Sequence, residues 1–273
     1  MKELAGKTAV ITGAASGIGL ALSERCLAEG MNVVMADVEA PKLEVEAARL
    51  AEGGKPVIKL VVDVADPAQV AMMREAALEA FGAVHLLANN AGVATGRTHL
   101  NATPEDLQWI VGVNVLGVAY GVSAFAKDMV AQGEGHIINI ASEAGLVPTP
   151  YLGSYHTTKY AVVGLSESLS LELEGTGVGV SCVCPELINT KIFESTRNAP
   201  EWVDMPPSQE VPISFAENLF GSVAMDPADA AGMMIYAVKA NRFWVITHQV
   251  TQDRMAKRNQ SLERGRRPST PVV

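Results

Sequence analysis

Tyr155 and Lys159 stand four residues apart, and Ser142 precedes Tyr155 by thirteen. Positions i and i+4 share one face of a helix, so the ammonium of Lys159 can lie beside the phenol of Tyr155 and favour its ionised form. At an effective dielectric of roughly 20, unit charges about 5 Å apart interact by ~3 kcal/mol, or ~2 pKa units. A phenol that starts near pKa ~10 is thereby brought within reach of neutral pH, where a general acid/base works best. A hydroxyl at Ser142 would hold the substrate oxygen while Tyr155 exchanges its proton. The chemistry such a trio suits is oxidation of an alcohol or reduction of a carbonyl, with the hydride carried by a nicotinamide. A Tyr-x-x-x-Lys pair alone is weak, because such pairs arise by chance on helix surfaces, so the elements around it decide.

The N-terminal third supplies a dinucleotide-binding pattern. An apolar, β-branched run from Lys7 to Ile11 ends in Thr12-Gly13-Ala14-Ala15-Ser16-Gly17-Ile18-Gly19, and a helical pattern follows from Leu20 to Glu29. Strand, glycine turn and helix N-terminus in that order let backbone approach a pyrophosphate and point free N–H groups at it. A second strand, Asn32 to Ala36, ends at Asp37, 18 residues beyond Gly19. A carboxylate there accepts both adenosine ribose hydroxyls and repels a 2′-phosphate, which favours NAD over NADP; the bland reading is that Asp37 caps the helix near Pro41 to Glu52. The alternation goes on through strand Pro56 to Val62, helix Pro67 to Phe81 and strand Val84 to Ala88, which ends in Asn89-Asn90-Ala91-Gly92. Ligands in such sheets lie at the carboxyl ends of strands, where Asp63 and the Asn89–Gly92 turn fall.

With these residues in order, joined by Asn114, Ser142, Tyr155, Lys159 and Pro185 through Thr190, the sequence resembles the short-chain dehydrogenase/reductase superfamily, in its branch of about 250 residues. The resemblance implies a Rossmann-type doubly wound parallel β-sheet flanked by helices in a single α/β domain. It implies that Tyr155 is the general acid/base, Ser142 polarises the substrate, and Lys159 lowers the Tyr155 pKa while binding the nicotinamide ribose. Asn114, on a helix read as Pro104 to Ala131, would hold a water in a proton relay. The cofactor groove would be formed by Gly13, Ser16, Gly17, Ile18 and Gly19 with Asp37, Asp63 and Val64. Asn90, Ala91 and Gly92, the pair Tyr155 and Lys159, and Pro185, Ile188 and Thr190 would complete it, Thr190 holding the carboxamide. One departure stands out: Pro185 is followed by Glu186 where the family usually has glycine, and that carboxylate either meets the substrate or points to solvent.

Composition agrees with one domain. The chain has 273 residues, 48% hydrophobic, enough for one well-buried core, with residues 1–250 as the catalytic body and 251–273 as a basic helix and tail. There is no N-terminal apolar region long enough for a signal peptide and no stretch that approaches a membrane span, so a cytoplasmic protein is expected. Cys182 and Cys184 are two apart on an apolar strand, Val178 to Cys184, and Cys26 belongs to the first helix; with five histidines lacking ligand spacing, no metal site is expected. His156 follows Tyr155 and points to another face. The net charge of −9 hides a tail of six Lys/Arg against two Asp/Glu, leaving −13 for the rest. An acidic body argues against nucleic acid, and Gln252 to Glu263 reads as a solvated helix, with the last residues loose or packed on a neighbouring subunit. The resemblance implies a homotetramer or homodimer.

From Ile188 to Met225 the rhythm lapses into a stretch with four prolines and the large apolar residues Phe193, Trp202, Met205, Phe215, Leu219 and Phe220, a candidate lid over residues 188–225. Phe193 and Trp202 are its candidate substrate contacts, with Leu146, Val147 and Tyr151 forming the opposite wall. Lys191 and Arg197 are its basic residues, so a hydrophobic alcohol or ketone fits better than a phosphorylated sugar. A nucleotide-binding regulatory or scaffold module is the other class of function, disfavoured because binding does not require a phenol beside an ammonium.

Overall fold

The computed structural model describes residues 1–95, 97–203 and 224–268. Seven strands form one parallel sheet: β1 Thr8–Thr12, β2 Asn32–Asp37, β3 Val57–Val61, β4 Leu86–Asn89, β5 Gly135–Ile140, β6 Val178–Cys184 and β7 Trp244–Ile246. Their order is β3-β2-β1-β4-β5-β6-β7. The chain therefore reverses direction of growth between β1 and β4, and a crevice opens at their carboxyl ends.

Alternate residues of the strands feed opposite faces. Val10, Val34, Leu87 and Ile137 pack under α3 Pro67–Phe81 and the helical stretch that contains Phe125 and Met129. Ile11, Met35, Ala88 and Ile138 pack under α1 Gly17–Ala28, α2 Ala40–Leu50 and the later helix that carries Ala230 to Val238. Strands buried on both sides are near-continuous apolar runs, as the sequence has them. Each large aliphatic removed from water contributes about 1.5–3 kcal/mol.

Helix boundaries agree with the periodicity to within about three residues, and two differences bear on the site. The expected helix from Pro104 to Ala131 is three pieces: α4 Pro104–Val111, a π-helical turn Gly112–Leu116 and α5 Gly117–Gln132. No proline or charge marks the π turn, and the periodicity of the apolar residues runs through it, which is why it is invisible in the sequence. This stretch also corrects the expectation that nothing approaches a membrane span. Pro104–Gln132 is long and apolar enough, with mean hydropathy 1.7 over its best window, and half of that window is buried inside the protein. Its apolarity serves the sheet on one side and the following helix on the other.

That following helix is α6 Gly153–Glu172, and α7 Pro227–Ala240 and α8 Gln249–Glu263 complete the described helices. The second difference is α8, which begins three residues earlier than the expected Gln252 and is anchored to the body rather than merely solvated. The candidate lid leaves the sheet after β6 and returns before α7. Its two ends are tied together, Ile188 bridging Met225 with Asn189 N–H on the Met225 carbonyl at 2.9 Å. Met205, Phe215, Leu219, Phe220 and the prolines at 206, 207 and 212 lie outside the described residues.

Candidate active site

The crevice is built first from backbone. Gly13 and Gly17 have φ of 64° and 54°, values that side chains disfavour, and a Cβ on Gly13 would come within 2.9 Å of Ala91 Cα. The Thr12 hydroxyl accepts the N–H groups of Asn90 and Ala91, and the Asn90 side-chain amide donates to the Thr12 and Gly13 carbonyls, so the two turns are stitched together. Ser16, the N-cap of α1, places no side-chain bond on the helix N-terminus. The first N–H groups of α1 are thus unclaimed by a cap beside Gly13, Ser16, Gly17 and Ile18, all of which line the cleft. That cradle fits a pyrophosphate. Gly19 does not line it; a Cβ there would stand 2.1 Å from the Gly13 carbonyl oxygen, so its role is close packing of α1 on the turn.

At the adenosine end, Asp37 is 8% exposed and accepts the N–H groups of Ala15 and Glu39, each at 2.9 Å. It therefore orders the glycine turn and the entry to α2, and its remaining lone pairs face the cleft with Asp63 and Val64. Glu39 pairs with Arg197 across the groove at 2.5 Å. Arg197 also donates to the carbonyls of Lys191 and Glu194, which closes the short 3₁₀ stretch Ile192–Asn198 over this end. Hydrogen bonds from the lid hold the Glu39 carboxyl below its ordinary range against the opposing effect of burial.

The catalytic candidates converge at the inner end. Ser142 leaves β5 with its hydroxyl donating to the Pro185 carbonyl at 3.3 Å and accepting the Ala144 N–H at 3.1 Å. Tyr155 and Lys159 project from α6, the Lys159 ammonium 5.4 Å from the Tyr155 ring centre and bonded to the Ile140 carbonyl at 2.9 Å. The expected direction of the Tyr155 shift is not what the site produces. Burial pushes the phenol up to about 12, and the hydrogen bond with Ser142 opposes this only in part. The ammonium is itself 4% exposed, and desolvation lowers it to about 8, with the buried thiols Cys184 and Cys182 pulling the other way. Two desolvated groups each resist ionisation, which outweighs the Coulomb gain estimated from spacing alone.

Asn114 is a strut. Carried by the π turn, it accepts the Val93 N–H at 2.8 Å and donates to the Val93 carbonyl and the Thr158 hydroxyl. Both amide hydrogens are spent within the protein, and the residue is 1% exposed behind Gly92 rather than on the cleft surface. Asn90, Ala91, Gly92, Pro185, Ile188 and Thr190 all line the cleft.

The substrate wall differs from expectation. Phe193 and Val147 line the cleft, but Leu146, Tyr151 and Trp202 do not. Leu146 is in the core with Val118 and Val162, Tyr151 sits in a turn at φ 71°, and Trp202 is 51% exposed. Trp109, Val113, Leu152 and Leu187 supply the apolar surface instead. Glu186 is part of that wall yet neither meets solvent nor stands free: its side chain is 7% exposed and is paired with Arg254. His156, read from sequence as pointing elsewhere, also reaches the cleft. Its Nδ1 meets the Ala144 carbonyl at 2.7 Å and its Nε2 accepts the Thr149 N–H at 3.1 Å, which fixes the tautomer and pins the loop between Ser142 and Tyr155. Burial lowers its pKa, keeping the ring neutral for that role.

A family model described as short chain dehydrogenase matches residues 7–201, from β1 through the start of the lid. The chain belongs to the short-chain dehydrogenase family. Among solved structures, a short-chain dehydrogenase/reductase from Burkholderia phymatum in complex with NAD superposes with a TM-score of 0.92 at 38% identity, covering 100% of both chains. The 2-(R)-hydroxypropyl-CoM dehydrogenase of Xanthobacter autotrophicus is 40% identical over 72% of this chain and 81% of its own. The 3-alpha-(or 20-beta)-hydroxysteroid dehydrogenase of Mycobacterium tuberculosis is 34% identical over 86% and 83% respectively.

In this short-chain dehydrogenase sequence reasoning missed the cleft positions of Trp109 and His156 and, because their partners are remote in the chain, the roles of Arg197 and Arg254. Arg197 lies 158 residues from Glu39 and Arg254 lies 111 from Glu143. The Glu186 departure was the one visible signal that a cation was needed nearby.

Proposed function

We propose that the protein interconverts a hydrophobic secondary alcohol and its ketone with NAD, using Tyr155 as the general acid/base. The observation that carries this reading is the meeting of the Ser142 and Tyr155 hydroxyls with the Lys159 ammonium where the dinucleotide cradle meets an apolar wall. When bound, the nicotinamide supplies or accepts the hydride. Ser142 holds the substrate oxygen beside the phenol. Tyr155 gives a proton to that oxygen in reduction and takes one in oxidation, and Lys159 stabilises the phenolate form. Asp37 binds the ribose hydroxyls and, with Glu39 beside it, repels a 2′-phosphate. NAD in the Burkholderia relative supports the same choice.

The substrate is a neutral, apolar molecule. Of the cations that line the cleft, Lys159 belongs to the reaction, Arg197 is paired with Glu39, and Lys191 is largely exposed beside Glu194. Residues 204–223 lie outside the described residues, and their sequence carries Asp204, Glu210 and Glu217 and no Lys or Arg. Among the described residues an anionic substrate therefore lacks an unclaimed cation on the cleft wall. Exposed Tyr236 and Trp244 beside the open edge of β7 support a homo-oligomer, which light scattering would measure.

A panel of secondary alcohols with NAD, read by absorbance of the reduced cofactor, tests the reaction. The pH profile tests the role of Tyr155. With its phenol near 12, the protonated donor is intact throughout neutral pH, while the phenolate base grows about tenfold per pH unit. Alcohol oxidation should rise with pH between about 6 and 8 while ketone reduction stays flat. An oxidation rate flat over that range would remove Tyr155 from the role of base.

A further inference from the structure

Helix α8 has little hydrophobic reason to be where it is. Thr251 is its one buried residue, and Met255 touches the edge of an apolar cluster. Its polar side chains instead converge on the back of the catalytic centre. Arg254 Nη1 donates to Glu143 at 2.7 Å and to Glu186 at 3.3 Å, and the Thr251 hydroxyl donates to the other oxygen of Glu143. One turn on, the Arg258 guanidinium lies 5.6 Å from the ring centre of Tyr160, the neighbour of Lys159 on α6.

The two carboxylates belong to the two loops that form the reacting end of the cleft. Glu143 follows Ser142, and Glu186 follows Pro185. Those loops are already joined by the Glu143 N–H on the Pro185 carbonyl at 2.7 Å and by the Ser142 hydroxyl on the same oxygen. Their side chains are 9% and 7% exposed against 13% for Arg254, so the like charges are shielded by the guanidinium rather than by water. His248, 3.8 Å from Glu186, is the further titratable group on the cluster.

We infer that Arg254 is a positioning residue of the reaction: by bridging Glu143 and Glu186 it holds the Ser142 and Pro185 loops together and so fixes the Ser142 hydroxyl against Tyr155. Residues as far along the chain as the C-terminal helix thereby become part of the catalytic frame. Without the cation, two buried carboxylates would push the loops apart, and Ser142 would lose its place relative to the phenol. A lysine keeps the bridge, because both bonds in the structure come from a single nitrogen. Neutralising Glu186 removes the repulsion that the arginine would otherwise have to offset.

The inference rests on the reading of Ser142 and Tyr155 as the proton-handling pair, and its test has an arm that does not. In the full-length protein, Arg254→Met should lower kcat by on the order of tenfold or more, with NAD affinity changed by less than about twofold. Arg254→Lys and the double variant Arg254→Met/Glu186→Gln should each recover most of that loss. Independently of any substrate, amide hydrogen exchange at residues 143–147 and 186–187 should quicken in Arg254→Met while β1, β4 and β5 keep their protection. Unchanged exchange in those loops, or kcat retained within about twofold, overturns the inference. So does a loss that neither Arg254→Lys nor the double variant repairs. If Tyr155→Phe keeps its turnover, the reaction reading fails by itself, and the exchange measurement still decides the role of Arg254.

Discussion

Around Gly13 and Gly17 the cleft is made of backbone, held by Thr12 and Asn90 and shaped by two positive φ angles, whereas around Trp109 and Val147 it is made of side chains from separate helices and loops. The first region can be read from a few adjacent residues, since a missing Cβ acts on the spot. The second depends on which way each side chain turns once the helices have packed. Leu146 and Val147 are consecutive and share one core cluster, yet only Val147 also lines the cleft. A dinucleotide's pyrophosphate suits a wall of fixed backbone, and a substrate that differs among relatives suits a wall of exchangeable side chains.

The hardest test of this division is at the boundary between the two regions. Tyr155→Phe keeps the ring and its packing but removes the phenol, so turnover should fall by on the order of 10²-fold or more while NAD titrations barely change. Near-normal turnover would mean that the proton passes elsewhere. A second variant addresses the cofactor side. Asp37→Ala removes the acceptor of the Ala15 and Glu39 N–H groups as well as the proposed ribose contact. NAD should weaken by about tenfold, and the preference over NADP should narrow by a similar factor. An unmodified protein that already prefers NADPH in side-by-side kinetics would reverse the assignment.

Two tryptophans sharpen the substrate side. Trp109 is 5% exposed and lines the cleft, while Trp202 is 51% exposed and does not. Trp109→Leu should shift kcat/KM among bulky alcohols by about 5- to 30-fold, or about 1–2 kcal/mol, and Trp202→Ala should leave it nearly unchanged. Equal effects from the two would show that the wall is drawn wrongly. The smallest expected effect belongs to the latch at the adenosine end. Arg197→Ala breaks a partly exposed pair with Glu39, for which solvent and salt leave about 0.2–1 kcal/mol. NAD release, followed by stopped-flow fluorescence of the reduced cofactor, should quicken by less than about fivefold, and the difference from the unmodified protein should shrink in high salt.

The sequence by itself determined the parts whose physics is local. Strands buried on both faces appear as continuous apolar runs, the glycine turn appears as missing side chains, and Tyr155 and Lys159 share a helix face because their spacing matches its period. Asp37 was legible because it ends a strand at a set distance from that turn. Tertiary structure alone decided whether the phenol is raised or lowered, since desolvation depends on everything packed around it and spacing gives only the Coulomb part. It likewise decided that Glu186 has a partner, that Asn114 is bonded to Val93 and Thr158, and that Arg254 of the basic helix α8 reaches Glu143 behind the candidate site. Each of these depends on residues that are distant in the chain and adjacent only after the sheet has formed. Sequence spacing carries no information about such pairs, whereas burial and charge are settled wherever they meet.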